Sequence, residues 1–331
     1  MADNDVATKA PESDAQENVA EAAEQSVFPG DTPAQSGPSM GEHCTSDRPT
    51  PSGERPSGEI IKLGGVTSYV AKPADYPHSP SKLLLLLTGG TGVNSTNNQL
   101  QADKYAAEGF LVVMPDQFDG DPAPNSVDMT QIEAEASWLE QVKLKTAEGV
   151  KMFLIDMWLA RHTPEKVLPL LHKVIDGAKK EYADAIANGG GIYGVGYCFG
   201  AKYILILAGQ HPDDVAHGQA APKDEEQGAV ANEPAIKAGA VAHPTLLTKE
   251  DLEAVKAPVY IAAVKDDPMM DESSVLTPGR RTLEQNKVEH EIEVFDGVPH
   301  GFAVLGDYDD PKIKQKQVQA FGQMLGWIQG H

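Results

Sequence analysis

Regular alternation of apolar and polar positions begins only after about residue 58. Residues 1–40 are rich in Ala, Glu, Asp, Ser, Gln and Pro and hold few large apolar side chains. Such a stretch buries too little surface to offset the entropy of ordering, so it reads as disordered. The patterned part starts with Glu59–Leu63 and Val66–Ala71, joined at Gly64-Gly65, which predict an antiparallel hairpin. Lys82–Thr88 is a continuous leucine run, the mark of a strand buried on both faces. Asn97–Glu108 predicts an amphipathic helix closed by Gly109 at a C-cap position, and Phe110–Met114 the next strand. The irregular loop Pro115–Pro124 follows. Residues 130–161, with Trp138, Met152, Phe153, Met157 and Trp158, have helical character. Their aromatics could line a pocket or pack in a core. Thr163-Pro164 reads as an N-cap with Pro at the first helical position, opening a helix that runs to about Ala187. Further strands are predicted at Ile192–Val195, Ile236–Ala242, Pro258–Val264 and His290–Phe295, the last alternating polar and apolar. Helices are predicted at Ala201–Ala208, up to Lys256, around Arg280–Lys287 and at Pro311–Gln329, and residues 219–235 read as a surface loop. Strands alternating with helices imply an α/β domain with a mostly parallel sheet covered on both faces, the hairpin lying at one edge. The predicted organisation is an acidic tail over residues 1–57 and one domain over 58–331.

The stretch with the most chemistry in it is Gly196-Tyr197-Cys198-Phe199-Gly200, set between the strand Ile192–Val195 and the helix Ala201–Ala208. This is the spacing of a nucleophile elbow, Gly-x-Ser-x-Gly, with sulfur in place of oxygen. Residues without a Cβ let strand and helix approach closely. The turn would hold Cys198 strained and exposed at a helix N-terminus, where the macrodipole and free N–H groups favour a thiolate. An elbow needs an acid and then a histidine, in that chain order. Lys265-Asp266-Asp267-Pro268 puts carboxylates at the carboxyl end of one strand, and Val298-Pro299-His300-Gly301 puts an imidazole on the loop after the next. Such loops line the ligand crevice of an open α/β sheet. Gly89-Gly90-Thr91-Gly92 follows the leucine strand without the spacing of a dinucleotide or phosphate loop, and fits an oxyanion loop. Gly90 and Phe199 are then the candidate N–H donors. His243, at the end of its strand, reads either as a substrate contact or as a structural loop histidine.

These residues resemble the dienelactone hydrolase (carboxymethylenebutenolidase) family of α/β-hydrolases. Gly-Tyr-Cys-Phe-Gly, Asp267-Pro-Met and His300-Gly-Phe-Ala-Val carry the likeness. Asn97-Asn98-Gln99, Met114-Pro115-Asp116, Ala242-His243-Pro244 and the entry Gly58–Leu63 point to its eukaryotic, chiefly fungal branch. The likeness spans roughly residue 41 to the C-terminus. It implies an α/β-hydrolase fold, Cys198 as nucleophile, His300 as general base and Asp267, rather than Asp266, as the orienting acid. It also implies hydrolysis of a small ester or lactone through a thioester, with no cofactor and no metal. Alternatives sharing the same residues are a thioesterase, or a lactonase or cyclase in a biosynthetic pathway. A non-catalytic binding or thiol-sensing protein on the same scaffold is the alternative of another class. Three positions depart from the family pattern. Gly89 stands where the family has an acid that tunes the thiol, Thr91 where it has an aromatic, and Leu305 where an Arg is frequent.

Charge and composition narrow the partners. The 331 residues hold 27 Lys and Arg against 49 Asp and Glu, a net charge of −22. That argues against nucleic acid, whose phosphates need a basic surface. No run approaches the length of a transmembrane helix, and the acidic N-terminus lacks the features of a secretory or transit signal. The only two cysteines, Cys44 and Cys198, make no disulfide framework, which suits a reducing compartment and a cytoplasmic protein. Cys44 beside His43 has no further ligand at a metal-site spacing and reads as a surface thiol. Oligomeric state is not legible.

Overall fold

The computed structural model describes residues 46–124, 154–209 and 233–331. Eight strands form one sheet: β1 Glu59–Leu63, β2 Val66–Ala71, β3 Lys82–Leu87, β4 Phe110–Pro115, β5 Ile192–Tyr197, β6 Ala238–Ala242, β7 Val259–Val264 and β8 His290–Phe295. Their spatial order is β1-β2-β4-β3-β5-β6-β7-β8. The pairs β1–β2 and β2–β4 are antiparallel and the rest are parallel, so the hairpin occupies one edge as its sequence predicts. From β3 the chain winds outward to β4; from β5 it winds the other way to β8. The reversal lies between β3 and β5, and the crevice beyond their carboxyl ends is where an open α/β sheet holds its ligand.

The leucine strand shows why the sheet is covered twice. Side chains alternate across a strand. Leu83, Leu85 and Leu87 therefore join one apolar layer and Leu84 and Leu86 the other, all essentially buried. The first layer is closed by the helices Pro164–Glu181 and Phe199–Leu207, which bring in Val167, Leu171 and Ile204. The second is closed by Thr96–Ala107 and Pro311–Gly330, with Tyr105, Met324 and Ile328. Each fully buried Leu contributes roughly 1.5–3 kcal/mol of transfer free energy, so β3 is a strong central beam.

Two elements differ from their sequence reading. The helix that opens at Pro164 stops at Glu181, because Tyr182 leaves helical geometry (φ −123°, ψ 36°) with its ring packed in the core, and a new helix runs Ala183–Gly189. Residues 46–57, counted with the tail in the sequence, make specific contacts. Asp47 Oδ1 accepts from Ser95 Oγ (2.8 Å), Arg48 O accepts from Asn97 Nδ2 (2.7 Å) and Pro49 O accepts from Asp307 N–H (2.9 Å). The expectations for residues 1–45, for Trp138, Met152 and Phe153, and for most of the 219–235 loop lie outside the described residues. Among the described residues, no helix is long and apolar enough to cross a membrane.

The elbow is held by contact too close for a side chain. A Cβ on Gly200 would lie 2.4 Å from the carbonyl carbon and oxygen of Leu87, and one on Gly196 would lie 2.7 Å from Ala201 Cα. The obstacles are backbone atoms of β3 and of the elbow helix, which cannot swing aside. Gly200→Ala is therefore expected to destabilise the fold by at least about 1–3 kcal/mol, the usual cost of overpacking, measured by urea unfolding. Unchanged stability would show that β3 yields at this point.

Candidate active site

Cys198 sits between β5 and the helix Phe199–Leu207 at φ 51°, ψ −116°, a backbone conformation that residues with a Cβ rarely adopt. The strain is over-determined: Cys198 N–H donates to Ala242 O (3.1 Å), and Cys198 O accepts from the N–H of Ala201 (3.1 Å) and of Thr245 (3.2 Å). The expected strain is present and the expected exposure is not, since Cys198 is only 2% exposed. Loops from other strands close over the elbow, so the thiol lies at the floor of a cavity.

Register brings the other candidates to the same level. Leu87 pairs with Gly196, Tyr197 with Ala242, Ala242 with Ala262 and Val264 with Phe295, so neighbouring strands from β3 to β8 end within two residues of one another. Asp267 follows β7 and His300 follows β8. The His300 Nδ1–Asp267 Oδ2 distance is 2.7 Å, both side chains being almost wholly buried. The other carboxylate oxygen accepts from Met269 N–H (2.9 Å), which fixes the carboxylate plane. Asp266, the rival acid, is exposed at φ 55°. Burial alone would lower the His300 pKa, but its hydrogen bonds and charge interactions with Asp267 and Cys198 outweigh that and push it up to about 9.

One residue in the site was missed from the sequence. Thr245, fully buried on the loop after β6, places Oγ1 3.2 Å from Cys198 Sγ and 3.2 Å from His300 Nε2. The neighbouring His243 had drawn attention, but a threonine two residues further on carries no motif. Its only signal is position, at the carboxyl end of the strand beside the nucleophile's. His243 is also fully buried. Its N–H donates to Ala262 O (2.8 Å), and its ring packs edge-on against His300 with centroids 4.9 Å apart.

The two candidate oxyanion donors are Phe199, which directly follows Cys198 in the chain, and Gly90. Phe199 is the first residue of its helix, where an N–H has no partner within the helix. Gly90 lies on the loop after β3, whose shape is fixed by Asn98 Nδ2 donating to Thr91 Oγ1 (3.0 Å) and Gly92 O (2.8 Å). Gly89 faces Cys198 directly, for a Cβ there would stand 3.3 Å from Cys198 Cβ and 3.8 Å from Sγ. Cys198, Gly89, Thr91, His243 and Leu305 line a cavity of about 30 Å³ together with Ser46, Asp47 and Arg48. The Arg48 guanidinium lies 4.0 Å from the Tyr308 ring centre. Trp158 is not at this cavity: it is buried against Phe118 and Phe199 and supports the elbow from behind, while Met157 is 44% exposed. Among the described residues, no three His, Cys, Asp or Glu side chains converge as metal ligands.

Comparison with known proteins places the chain in a family. The family model "Dienelactone hydrolase family" matches residues 66–228 and 227–331. The "Hydrolase pyvD" of Aspergillus violaceofuscus is 30% identical over 276 residues, covering 82% of this chain and 89% of that relative. The "Hydrolase tropI" of Talaromyces stipitatus is 27% identical, covering 82% of this chain and 90% of that relative. Among solved structures, a putative dienelactone hydrolase from Klebsiella pneumoniae shares the fold with a TM-score of 0.56 at 16% identity, covering 83% of this chain and 98% of that one. A sheet that reverses at β3 and β5, an elbow at that reversal and a match running from β2 to the C-terminus leave one assignment: the chain belongs to the dienelactone hydrolase family and is a carboxylic ester hydrolase of α/β-hydrolase fold.

Proposed function

We propose that this enzyme hydrolyses a small ester or lactone through a thioester on Cys198, with His300 as general acid–base and Asp267 as its orienting acid. The observation that carries the reading is the buried contact of 2.7 Å between His300 Nδ1 and Asp267, with Nε2 3.2 Å from the Thr245 hydroxyl that itself lies 3.2 Å from the elbow sulfur. The Asp267 carboxylate fixes the proton on Nδ1 and leaves Nε2 to exchange protons with the reaction.

The chemistry follows from that arrangement. The thiol proton passes to His300, and the thiolate attacks the ester carbonyl carbon. The carbonyl oxygen takes up the negative charge and receives hydrogen bonds from the N–H groups of Gly90 and Phe199. As the C–O bond to the leaving group breaks, Nε2–H gives its proton to the departing alkoxide, and the acyl group remains on sulfur. Acylation also retunes the histidine. The thiolate is one of the groups that hold the His300 pKa high. Once sulfur is acylated that charge is gone, so the imidazole gives up a proton more readily and can deprotonate the water that cleaves the thioester. One residue thus serves as acid in the first half and base in the second.

Cys198→Ala is expected to lower ester turnover roughly a thousandfold or more while leaving the melting temperature near that of the wild type. Hydrolysis of p-nitrophenyl acetate and a thermal melt check it together, and retained turnover would reject the nucleophile.

The acid assignment separates two adjacent carboxylates. Asp267→Asn should reduce kcat by about three to four orders of magnitude, because the imidazole loses the acceptor that sets its tautomer. Asp266→Asn, at an exposed position, should change kcat by less than about threefold. The reverse ranking would move the role to Asp266.

A pH experiment tests the coupling. The folded His300 pKa of about 9 lies above the ordinary imidazole value of 6.5. The stabilisation from that bound proton is therefore complete below about pH 6.5 and is lost as pH rises through about 9. Cys198 should be alkylated by iodoacetamide well below the ordinary thiol midpoint of about 8.5. His300→Ala should move that profile to higher pH, and superimposable profiles would mean that His300 does not govern the thiol.

A further inference from the structure

We propose that Thr245 is a further catalytic residue: its hydroxyl donates a hydrogen bond to Cys198 Sγ and accepts one from His300 Nε2–H, holding the thiolate–imidazolium pair ready for attack. The inference rests on Cys198 being the nucleophile.

The geometry leaves the hydroxyl few other tasks. Oγ1 is 3.2 Å from the sulfur and 3.2 Å from Nε2, and the side chain is fully buried. A hydroxyl has one proton to donate and two lone pairs to accept with. When the imidazole is charged, Nε2–H can only donate, so the hydroxyl accepts there and its own proton is left for the sulfur. When the thiol is neutral, the order reverses: S–H donates to Oγ1 and Oγ1–H donates to Nε2. Both states are fully hydrogen-bonded, but in the ion pair both contacts are charge-assisted and therefore stronger. In passing from the neutral state to the ion pair, Sγ loses one proton, Nε2 gains one and Oγ1 retains one. No bond to carbon changes and nothing is oxidised or reduced.

The loop that carries Thr245 is built as a fixed mount. His243 and Leu246, on either side, hold left-handed φ values of 39° and 57°. Strain of this kind persists where surrounding structure over-determines it, and it gathers at functional sites. The loop is held at both ends of its turn. Thr245 N–H donates to Cys198 O (3.2 Å), tying the threonine to the elbow itself, and the partly buried Lys202 ammonium donates to Leu246 O (3.0 Å). Lys202 is held in turn 3.5 Å from the buried carboxylate of Asp251. The same residue of the elbow therefore anchors the threonine by its carbonyl and faces it with its sulfur.

The test compares alkylation of Cys198 against pH, read at the Cys198 peptide by mass spectrometry, in the wild type, Thr245→Val and Thr245→Ser. The other titratable groups facing the pair are Asp267 and His243 against His300, with Asp47 and Arg48 at the mouth; all are unchanged between these proteins. Valine keeps the volume and removes the hydroxyl. Its alkylation midpoint should rise by about one pH unit, and kcat for p-nitrophenyl acetate should fall about tenfold or more with a smaller change in KM. Serine should restore both. Profiles and kcat that overlay the wild type in Thr245→Val would overturn the proposal, as would a shift that serine fails to restore. If Thr245→Val does not fold by circular dichroism, Thr245→Ala is read in the same way. In the unmodified sequence, the 240 nm thiolate absorbance given by wild type minus Cys198→Ala supplies an independent reading. A midpoint at or above the ordinary 8.5 would overturn the proposal without any change at Thr245. Failure of the nucleophile reading looks different, since Cys198→Ala would then retain turnover whatever the Thr245 variants do.

Discussion

Most of this structure answers to one constraint, the burial of a carboxylate, an imidazole and a thiol in a single hydrogen-bonded line. A carboxylate with no exposed side-chain surface, such as Asp267, is costly unless it is paired and hydrogen-bonded. It is paired by His300 and by the N–H of Met269, and His300 is in turn met by Thr245 and Cys198. Each member comes from a loop after a different strand, β7, β8, β6 and β5. A shift of one residue in any of those pairings would leave a buried polar group without its partner. The parallel register of the sheet and the polar line therefore specify each other.

The apolar layers supply the rigidity that such a line needs. β3 is buried on both faces, and its last carbonyls press on the elbow so closely that only glycine fits at position 200. The left-handed backbone at Cys198 is maintained by that pressure and by hydrogen bonds to Ala242, Ala201 and Thr245. Strain at Cys198 is thus balanced by the leucine strand beside it. Trp158, Phe118 and Phe199 pack at tilted angles on one another behind the turn.

How much of this was legible in the sequence depends on whether the signal was local. The leucine run, the Gly-x-Cys-x-Gly spacing and the Pro at the start of the 164–181 helix are local signals with steric causes, and each element stands where its sequence predicts. The meeting of Asp267 with His300 was legible because their loops follow two clear strands in the order an elbow requires. Three features were not. Thr245 is an unremarkable residue whose importance comes only from the pairing of β5 with β6. The burial of Cys198 depends on loops that close over it, including Ser46–Arg48, a segment whose own composition gives no hint of packing. The break at Tyr182 is a tertiary effect, since nothing in the local propensity forbids the helix from continuing.

The departure at Gly89 can be understood in the same terms. A Cβ at this position stands 3.3 Å from Cys198 Cβ, so any carboxylate mounted there would lie beside the sulfur. A negative charge so near would disfavour the thiolate and raise its pKa. Glycine removes that opposition, and the thiol faces instead the hydroxyl of Thr245 and an imidazole whose pKa is pushed up to about 9. A hydroxyl has no charge to repel the sulfur and can turn its dipole with the proton's movement. Cys198 itself is buried, on the wall of a cavity of about 30 Å³. Ser46, Asp47 and Arg48, which help to line the cavity, are themselves held in place by the hydrogen bonds of Asp47 with Ser95 and of Arg48 with Asn97, so the approach to the sulfur is shaped by the same kind of fixed polar contact that orders the site itself.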